Sequence, residues 1–413
     1  MRGLQGDLQT AGFQSEALLA PEQALTLFFA RARLLDPKTE TVALERACGR
    51  VLAKPIVAGA AYPAIARSAM DGFAVRSHDT PAELRIAGEI RMGELWPNAL
   101  EPKTALRIPT GGALPPGADA VVPIEDVHVA GDRVRVDSAI ASGACIVPAG
   151  SDMRPGETIV EEGRRIGGAE LGVLATLGVV DVPVYTIPMF AILSSGDELV
   201  DIRSRPHEAQ VRDSNRWALA GKLQALGAAA KHYPIAPDQE AGFEELLRAA
   251  IAECDGVILS GGSSVGLRDL TPRLIDRLGA PGVIVHGLKV KPGKPTVLAS
   301  AAGKPIVGLP GNPSSALMIL EAVAAPIVAH FVGARVPAAQ VEAKLARPLH
   351  KRAGWTHYVP VRLEDAGGVC VAHPLEMHSA SVSLLARASG FLTLGETVES
   401  VAAGDTVLAT RFV

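Results

Sequence analysis

The chain has 413 residues, 48% hydrophobic and 20% charged, too long for one ordinary core and too apolar for a disordered chain. Forty lysines and arginines against 44 acids leave a net charge of −4, so no global field recruits DNA, RNA or an anionic membrane; 4% aromatic residues argue against a stacking platform for single strands. The four cysteines (Cys48, Cys145, Cys254, Cys370) are dispersed and form no C-x-x-C pair, which argues against a zinc ribbon or redox motif and suits a reduced compartment.

The polar N-terminus has no signal-peptide apolar run, so a cytoplasmic location is expected. Residues 16–53 are expected to be helical, from Pro21 at a first-turn position and apolar residues three and four apart after it. Over 54–148 short β-rich runs at 84–87, 120–124 and 133–136 are separated by Gly, Pro and Asp, which predicts a small, mostly β domain. Over 149–185, Gly-rich turns surround one apolar helix at 169–177. From 186 to 335 the rhythm changes. Strands are predicted at 190–193, 229–235, 257–259, 283–288 and 306–309, with helices at 213–226, 238–254, 269–278 and from Ser314. This alternation predicts an α/β unit with a mostly parallel sheet and a ligand beyond the carboxyl ends of its strands. The run 316–334 is long enough to span a bilayer, but Glu321, Pro326 and His330 interrupt it, so a buried helix is expected. Residues 336–413 return to short strands at 359–363, 369–372, 391–394 and 406–408, with Gly367-Gly368 as a hairpin turn.

Four polar, Gly-rich loops close the predicted strands of the α/β unit: Ser194-Ser195-Gly196-Asp197-Glu198, the segment from Ser260 to Gly266, the segment from Lys289 to Pro295, and Pro310-Gly311-Asn312-Pro313-Ser314-Ser315. Singly, each is an ordinary turn. Together they describe one ligand face. Ser260-Gly261-Gly262-Ser263 is built like a phosphate cradle, in which glycines let backbone N–H groups converge on an anion. Lys291 and Lys294 can neutralise phosphate or oxyanion charge, and Ser314 is a candidate N-cap. Asp197, Glu198 and Asp269 adjoin these loops, and Asp71, Asp152, Asp213 and Asp238 each sit beside Gly, Ser or Pro. Carboxylates facing a phosphate cradle usually hold Mg²⁺. Asp213-Ser214-Asn215 suits a helix cap as well as a ligand site. The ten histidines form no H-x-H or H-E-x-x-H pattern, and there is no G-x-S-x-G and no complete Walker loop.

The motifs Ser68-Ala69-Met70-Asp71-Gly72, Pro109-Thr110-Gly111, Gly150-Ser151-Asp152, Ser195-Gly196-Asp197-Glu198, Asp213-Ser214-Asn215, Ser260-Gly261-Gly262, Lys291-Pro292-Gly293-Lys294-Pro295 and Leu309-Pro310-Gly311-Asn312-Pro313 occur in one order along nearly the whole chain. This set resembles the molybdopterin molybdenumtransferase (MoeA) family, which also forms one half of the animal scaffold gephyrin. The resemblance implies an α/β plus β multidomain chain. Its parts are an elongated linking domain from 16–53 and 149–185, a β-rich inserted domain over 54–148, a molybdopterin-binding α/β domain over 186–335 and a C-terminal β-barrel over 336–413. It implies Mg²⁺-dependent insertion of molybdate into adenylylated molybdopterin with release of AMP. The enzyme would be a homodimer, its site formed between the α/β domain of one subunit and the first two domains of the other. The implied partners are molybdopterin adenylyltransferase and molybdoenzyme apo-proteins or their chaperones.

Carried over position by position, the resemblance gives Asp71, Thr110, Asp152, Glu198 and Asp269 as catalytic. Glu198, Asp269 and, on a weaker match, Asp238 become the metal-facing acids. The pterin- and phosphate-binding set is Ser195, Gly196, Asp197, Asp213, Ser214, Asn215, Ser260, Gly261, Gly262, Ser263, Lys291, Gly293, Lys294, Pro310, Gly311, Asn312, Pro313 and Ser314. Three departures stand out. Ile65-Ala66 replace a Phe-Asp pair, Leu267 replaces an acid, and residues 350–357 replace a Gly-Arg-x-x-Phe-x-Arg pattern. The lost acids keep open a divergent paralogue that holds molybdopterin or finished cofactor as a scaffold or carrier, or one that prefers tungstate. An adenylyltransferase acting one step earlier shares the α/β unit but lacks the flanking β domains.

Overall fold

The computed structural model describes residues 18–236, 239–261, 270–334, 340–376 and 381–412. Helix α1 (Pro21–Arg31) starts with proline at its first turn, where a missing N–H costs nothing, and buries Ala24 and Phe28 on one face. The helical reading of 16–53 extends too far. After Arg31 the chain straightens, and Thr39–Ala43 forms a strand antiparallel to Asp181–Tyr185. Its Thr-Glu-Thr-Val alternation suits a pleat better than a helix. Ile56–Val57 pairs with Thr158–Val160, and Ala47, Leu52, Ile56, Ile166, Leu174 of α2 (Gly168–Thr176), Val182 and Val184 form one buried cluster. Segments on either side of the β-rich region therefore share a core.

That region is a six-stranded sheet in the order Ala120–Pro123, Gly72–Val75, Thr104–Ile108, Ala82–Glu89, Arg133–Val136, Val127–Ala130. Phe73, Val75, Leu84, Val122 and Val134 fill its core.

The α/β unit holds a second six-stranded sheet, ordered Ala229–His232, Met189–Ser195, Gly256–Gly261, Lys304–Leu309, Val297–Ala301, Pro281–His286. The first four are parallel neighbours. Val297–Ala301 runs against both its neighbours, so one reversed strand interrupts a mostly parallel sheet. The sequence reading missed this strand because its five residues follow directly on the lysine loop. Helices α3 (Asn215–Leu226), α4 (Glu240–Glu253) and α5 (Leu270–Asp276) pack on the sheet. A last helical run comprises α6 (Pro313–Ile319), a π-helical turn over Leu320–Ala324 and α7 (Ala325–Val332). It is long and apolar enough to cross a bilayer, yet 72% of it is buried inside the fold, as in a core helix.

In the C-terminal unit, Thr356–Ala366 pairs with Val369–Pro374 and also with Gly390–Leu394. Gln340–Leu345, another unexpected strand, and Thr406–Arg411 complete the circle, so the sheet closes on itself. Gly367 and Gly368 both have positive φ, +68° and +87°, as a two-residue hairpin requires.

Helix α7 ends at Gly333 with φ +71°, where a Cβ would overlap the Tyr185 ring. Gly333→Ala therefore adds left-handed strain to a steric clash, and is expected to lower stability by about 2–4 kcal/mol. Gly354, with φ +89° and open space around it, serves as the control. Its alanine variant carries the backbone penalty alone, about 1–2 kcal/mol. Equal denaturation midpoints for the two variants would refute the steric contribution.

Candidate functional site

The three central parallel strands end side by side. Ser195 lies opposite Gly261, and Ser260 opposite Leu309. Gly261 has φ +106°, and a Cβ there would collide with the Ser195 carbonyl oxygen, so the close approach of the two strand ends requires glycine. Helix α3 begins at this edge. The Asn215 side-chain nitrogen donates to Ser260 Oγ and to the Gly311 carbonyl, both at 2.8 Å. It thereby ties the second and fourth Gly-rich loops to the start of the helix. Asn215 is buried, and its Oδ1 has no protein partner; neither has the buried Ser194 Oγ. Asp213 acts as the cap that its position suggested. Its Oδ1 accepts the Arg216 N–H at 3.1 Å, and its Oδ2 lies 3.0 Å from the Arg216 guanidinium. Ser214 precedes the helix with no side-chain capping bond.

In the first loop Gly196 has φ +145°, and the Glu198 carboxylate folds back over it, 2.6 Å from where a Cβ would stand. Asp197 and Glu198 are exposed. In the fourth loop Asn312, not Ser314, is the N-cap: Pro310-Gly311 lead into it, Pro313 takes the first helical position, and Ser314 lies buried inside the first turn. The cap thus lies two residues before Ser314, because proline at the first turn already supplies helical φ.

The lysine loop is held at several points. A Cβ on Gly293 (φ +116°) would collide with Ile319 of α6, and the Thr296 hydroxyl donates to the Gly293 carbonyl at 2.6 Å. Lys291 and Lys294 remain exposed. Val290–Lys291 pairs in parallel with Thr356 and His357 of the barrel, the Lys291 ammonium lies 5.6 Å from the Trp355 ring centroid, and Lys289 reaches Glu396 at 2.8 Å. Burial, with the Lys351 and Lys291 charges nearby, pushes the His357 imidazole below its ordinary value. A cleft of about 370 Å³ brings Ser195, Gly261 and Lys294 together with Phe243, Thr271 and His286. The last three were not anticipated. They are single residues without a motif, though His286 ends the strand just before the lysine loop and Thr271 Oγ1 is a buried hydroxyl without a partner. Gly262, Ser263, Leu267 and Asp269, and also Asp238, lie outside the described residues.

A second cluster forms in the β-rich unit. Backbone bonds stitch together the segments around 62–71, 109–114 and 145–153. The Thr110 N–H and hydroxyl both donate to Asp71 Oδ1, at 2.6 and 2.9 Å. These bonds, the backbone one foremost, hold the Asp71 carboxyl below its ordinary value. Arg67 donates to the Gly111 carbonyl at 2.8 Å, and exposed Asp152 donates its N–H to Tyr62. Ala66 contributes its carbonyl to Leu114 N–H and no charge. Met70 and Ile124, exposed apolar residues, neighbour Asp71, the first in sequence and the second by its N–H to the Asp71 carbonyl. Among the described residues, no hydrogen bond or ion pair links Asp71, Thr110 or Asp152 to the strand-end loops, and no three His, Cys, Asp or Glu side chains are placed to hold a metal.

Comparison with known proteins gives consistent matches. Residues 19–178 match the family model described as "MoeA N-terminal region (domain I and II)", 191–330 the "Probable molybdopterin binding domain", and 342–412 the "MoeA C-terminal region (domain IV)". The chain is 33% identical over 382 residues to molybdopterin molybdenumtransferase 2 of Mycobacterium tuberculosis, covering 88% of this chain and 93% of that protein. It is 34% identical over 321 residues to molybdopterin molybdenumtransferase of Haemophilus influenzae, covering 75% and 78%. A crystal structure of a molybdopterin biosynthesis MoeA protein from Pyrococcus horikoshii superposes with a TM-score of 0.81 at 30% identity, covering 96% of this chain and 99% of that one.

Asn215→Ala leaves Ser260 Oγ and the Gly311 carbonyl without their shared donor, and is expected to cost about 1–3 kcal/mol in chemical denaturation; a neutral result would mean that the bridge does not hold the loops. For Asp71, whose native pKa is depressed, the pair's stabilisation is fully present above the ordinary carboxyl value and is lost as pH falls through the lower native one. In an NMR titration Thr110→Val is expected to raise the Asp71 midpoint only part of the way, because the backbone N–H remains. No rise at all would remove the hydroxyl from the account.

Proposed function

The chain belongs to the MoeA family of molybdopterin molybdenumtransferases, and from that premise we propose that it inserts molybdate into adenylylated molybdopterin in a Mg²⁺-dependent step that releases AMP. The observation that carries this reading is Asn215, which fastens the Ser260 and Gly311 loops together at the strand ends, where Lys294 lines one cleft with Ser195 and Gly261. The substrate is a phosphate-bearing dithiolene and its co-substrate an oxyanion. Backbone N–H groups of the Gly-rich loops and two lysines suit both anions.

The donor chemistry fits Mg²⁺ in a limited way. Exposed Glu198 offers a hard oxygen at a strand end, and Mg²⁺ takes one or two carboxylates and completes its shell with phosphate oxygens and water. Glu198 would hold the ion, with Asp269 and Asp238 as further candidates. Bound there, the ion would polarise the phosphoanhydride. The chain's own residues do the rest. The lysines neutralise the phosphate and molybdate charges, and the strand-end loops orient the pterin. Asp71, kept ionised by Thr110, presents a fixed carboxylate. Among the described residues no hydrogen bond or ion pair joins the Asp71 cluster to the loops, and Met70 and Ile124 leave exposed apolar surface beside Asp71. Both facts support a homodimer in which Asp71, Thr110 and Asp152 of one subunit face the loops of the other.

A carrier that binds the pterin without turnover is the second reading. It is favoured by Ala66, which brings no carboxylate to the Asp71 cluster. Incubation of the protein with adenylylated molybdopterin, molybdate and Mg²⁺ separates the two. The expected outcome is AMP release that needs both the metal ion and the oxyanion, with Glu198→Gln and Asp71→Asn each lowering the rate at least about 100-fold and leaving the fold intact. Tight pterin binding without AMP release would establish the carrier instead. Full activity in either variant would withdraw that residue's role.

A further inference from the structure

Two helices that start at the strand-end loops run back through the core side by side, and their seam is mostly apolar. On α3 the buried residues are Asn215, Leu219, Lys222, Leu223 and Leu226, one face of a helix. Asn215 and Lys222 lie seven residues apart in the numbering, nearly two full turns, and so point the same way. Opposite them, Ile319, Leu320 and Val323 belong to the same core cluster. Within this seam the Lys222 ammonium is ion-paired with the Glu321 carboxylate, both side chains more than nine-tenths buried. Glu321 sits in the π-helical turn that separates α6 from α7. Such turns shift the phase of a helix and are often found at functional sites.

We propose that Lys222 and Glu321 are positioning residues of the strand-end site. The pair fixes the register of α3 against the α6–α7 run, so that Asn215, two turns away, meets the Gly311 carbonyl. Leucine against leucine tolerates sliding, whereas a buried charge pair has one low-energy register. Among the described residues, the seam carries the polar contacts of Asn215 to Gly311 at the strand-end side and of Lys222 to Glu321 in the interior. The inference assigns a role to the inner one. It rests on the functional reading only for its consequence in pterin binding; its structural part stands without any substrate.

The test uses the full chain and three variants: Lys222→Met/Glu321→Leu, Lys222→Gln/Glu321→Gln and Asn215→Ala. Replacing a buried pair with apolar residues of similar size is often neutral or stabilising, so the double variant is expected to melt within about 4 °C of the parent. Lys222→Gln/Glu321→Gln, which removes both charges while keeping polar side chains of similar length, serves if the apolar double variant fails to fold. Amide hydrogen exchange around Gly311 is expected to accelerate about tenfold in the folded variants, with exchange in the barrel unchanged. Where molybdopterin binding is measured, its Kd is expected to weaken about tenfold, and the effect is expected to be non-additive with Asn215→Ala because both act on one contact. The KM for molybdate should not move. A stable variant with parental exchange at Gly311, or effects that add fully with Asn215→Ala, would overturn the proposal. If the parent binds the pterin but releases no AMP, the transferase reading fails while the exchange result still decides the positioning role.

Discussion

A single carboxamide, that of Asn215, donates both of its protons to groups that the chain brings from different places. One is a serine hydroxyl at the end of the Gly256–Gly261 strand, and the other a carbonyl from the turn before α6. Parallel strands finish with backbone groups that the sheet no longer pairs, and loops in that position would be free to move apart. A buried side chain with two fixed donors prevents that. The close approach of Gly261 to Ser195 and the burial of Ser314 in the next helix follow from the same compression of three strand ends into one surface.

The lysine loop is held from three directions. Upstream, Lys289 N–H donates to the Leu19 carbonyl just before α1, and Leu19 bridges Leu288. Within the α/β unit, Gly293 rests on Ile319 and Thr296 closes the turn. On the far side, Thr356 N–H donates to the Lys289 carbonyl and Lys289 pairs with Glu396. The N-terminal helix is also fastened to this unit through Ser300, whose buried hydroxyl donates to the Ala32 carbonyl. The charged ends of Lys291 and Lys294 therefore project from a rigid backbone, which lowers the entropy cost of binding an anion there.

Local signals were read well where they are strong. The strands around 190–193, 257–259 and 306–309, the helix closed by Gly227 and the Gly367-Gly368 hairpin all follow from periodicity and turn chemistry. The misses share a cause. Thr39–Ala43 gains its strand character from a partner more than a hundred residues away, and Val297–Ala301 reverses direction only because two neighbours receive it. Neither pairing is written in the segment itself. The strand-end loops of the candidate site were legible as motifs, since glycine loops and lysines are sequence-local. What escaped was the assembly: that Asn215 joins two of the loops, that Thr110 holds Asp71, and that Thr271 and His286 enter the cleft. Such contacts depend on which elements lie side by side.

The two-residue strand Val290–Lys291 has a wider consequence for how this chain can evolve. It occupies a stretch of edge at the start of Thr356–Ala366, beside the closed circle of barrel strands. One of the two exposed loop lysines is thus mounted on the C-terminal domain as much as on its own. The α/β unit is not a portable module. Exchanging the barrel for that of a relative would re-aim Lys291, together with the Trp355 ring beneath it, without altering a residue of the α/β domain. Divergence in the segment 350–357 is therefore a means of retuning the lysine loop from a distance.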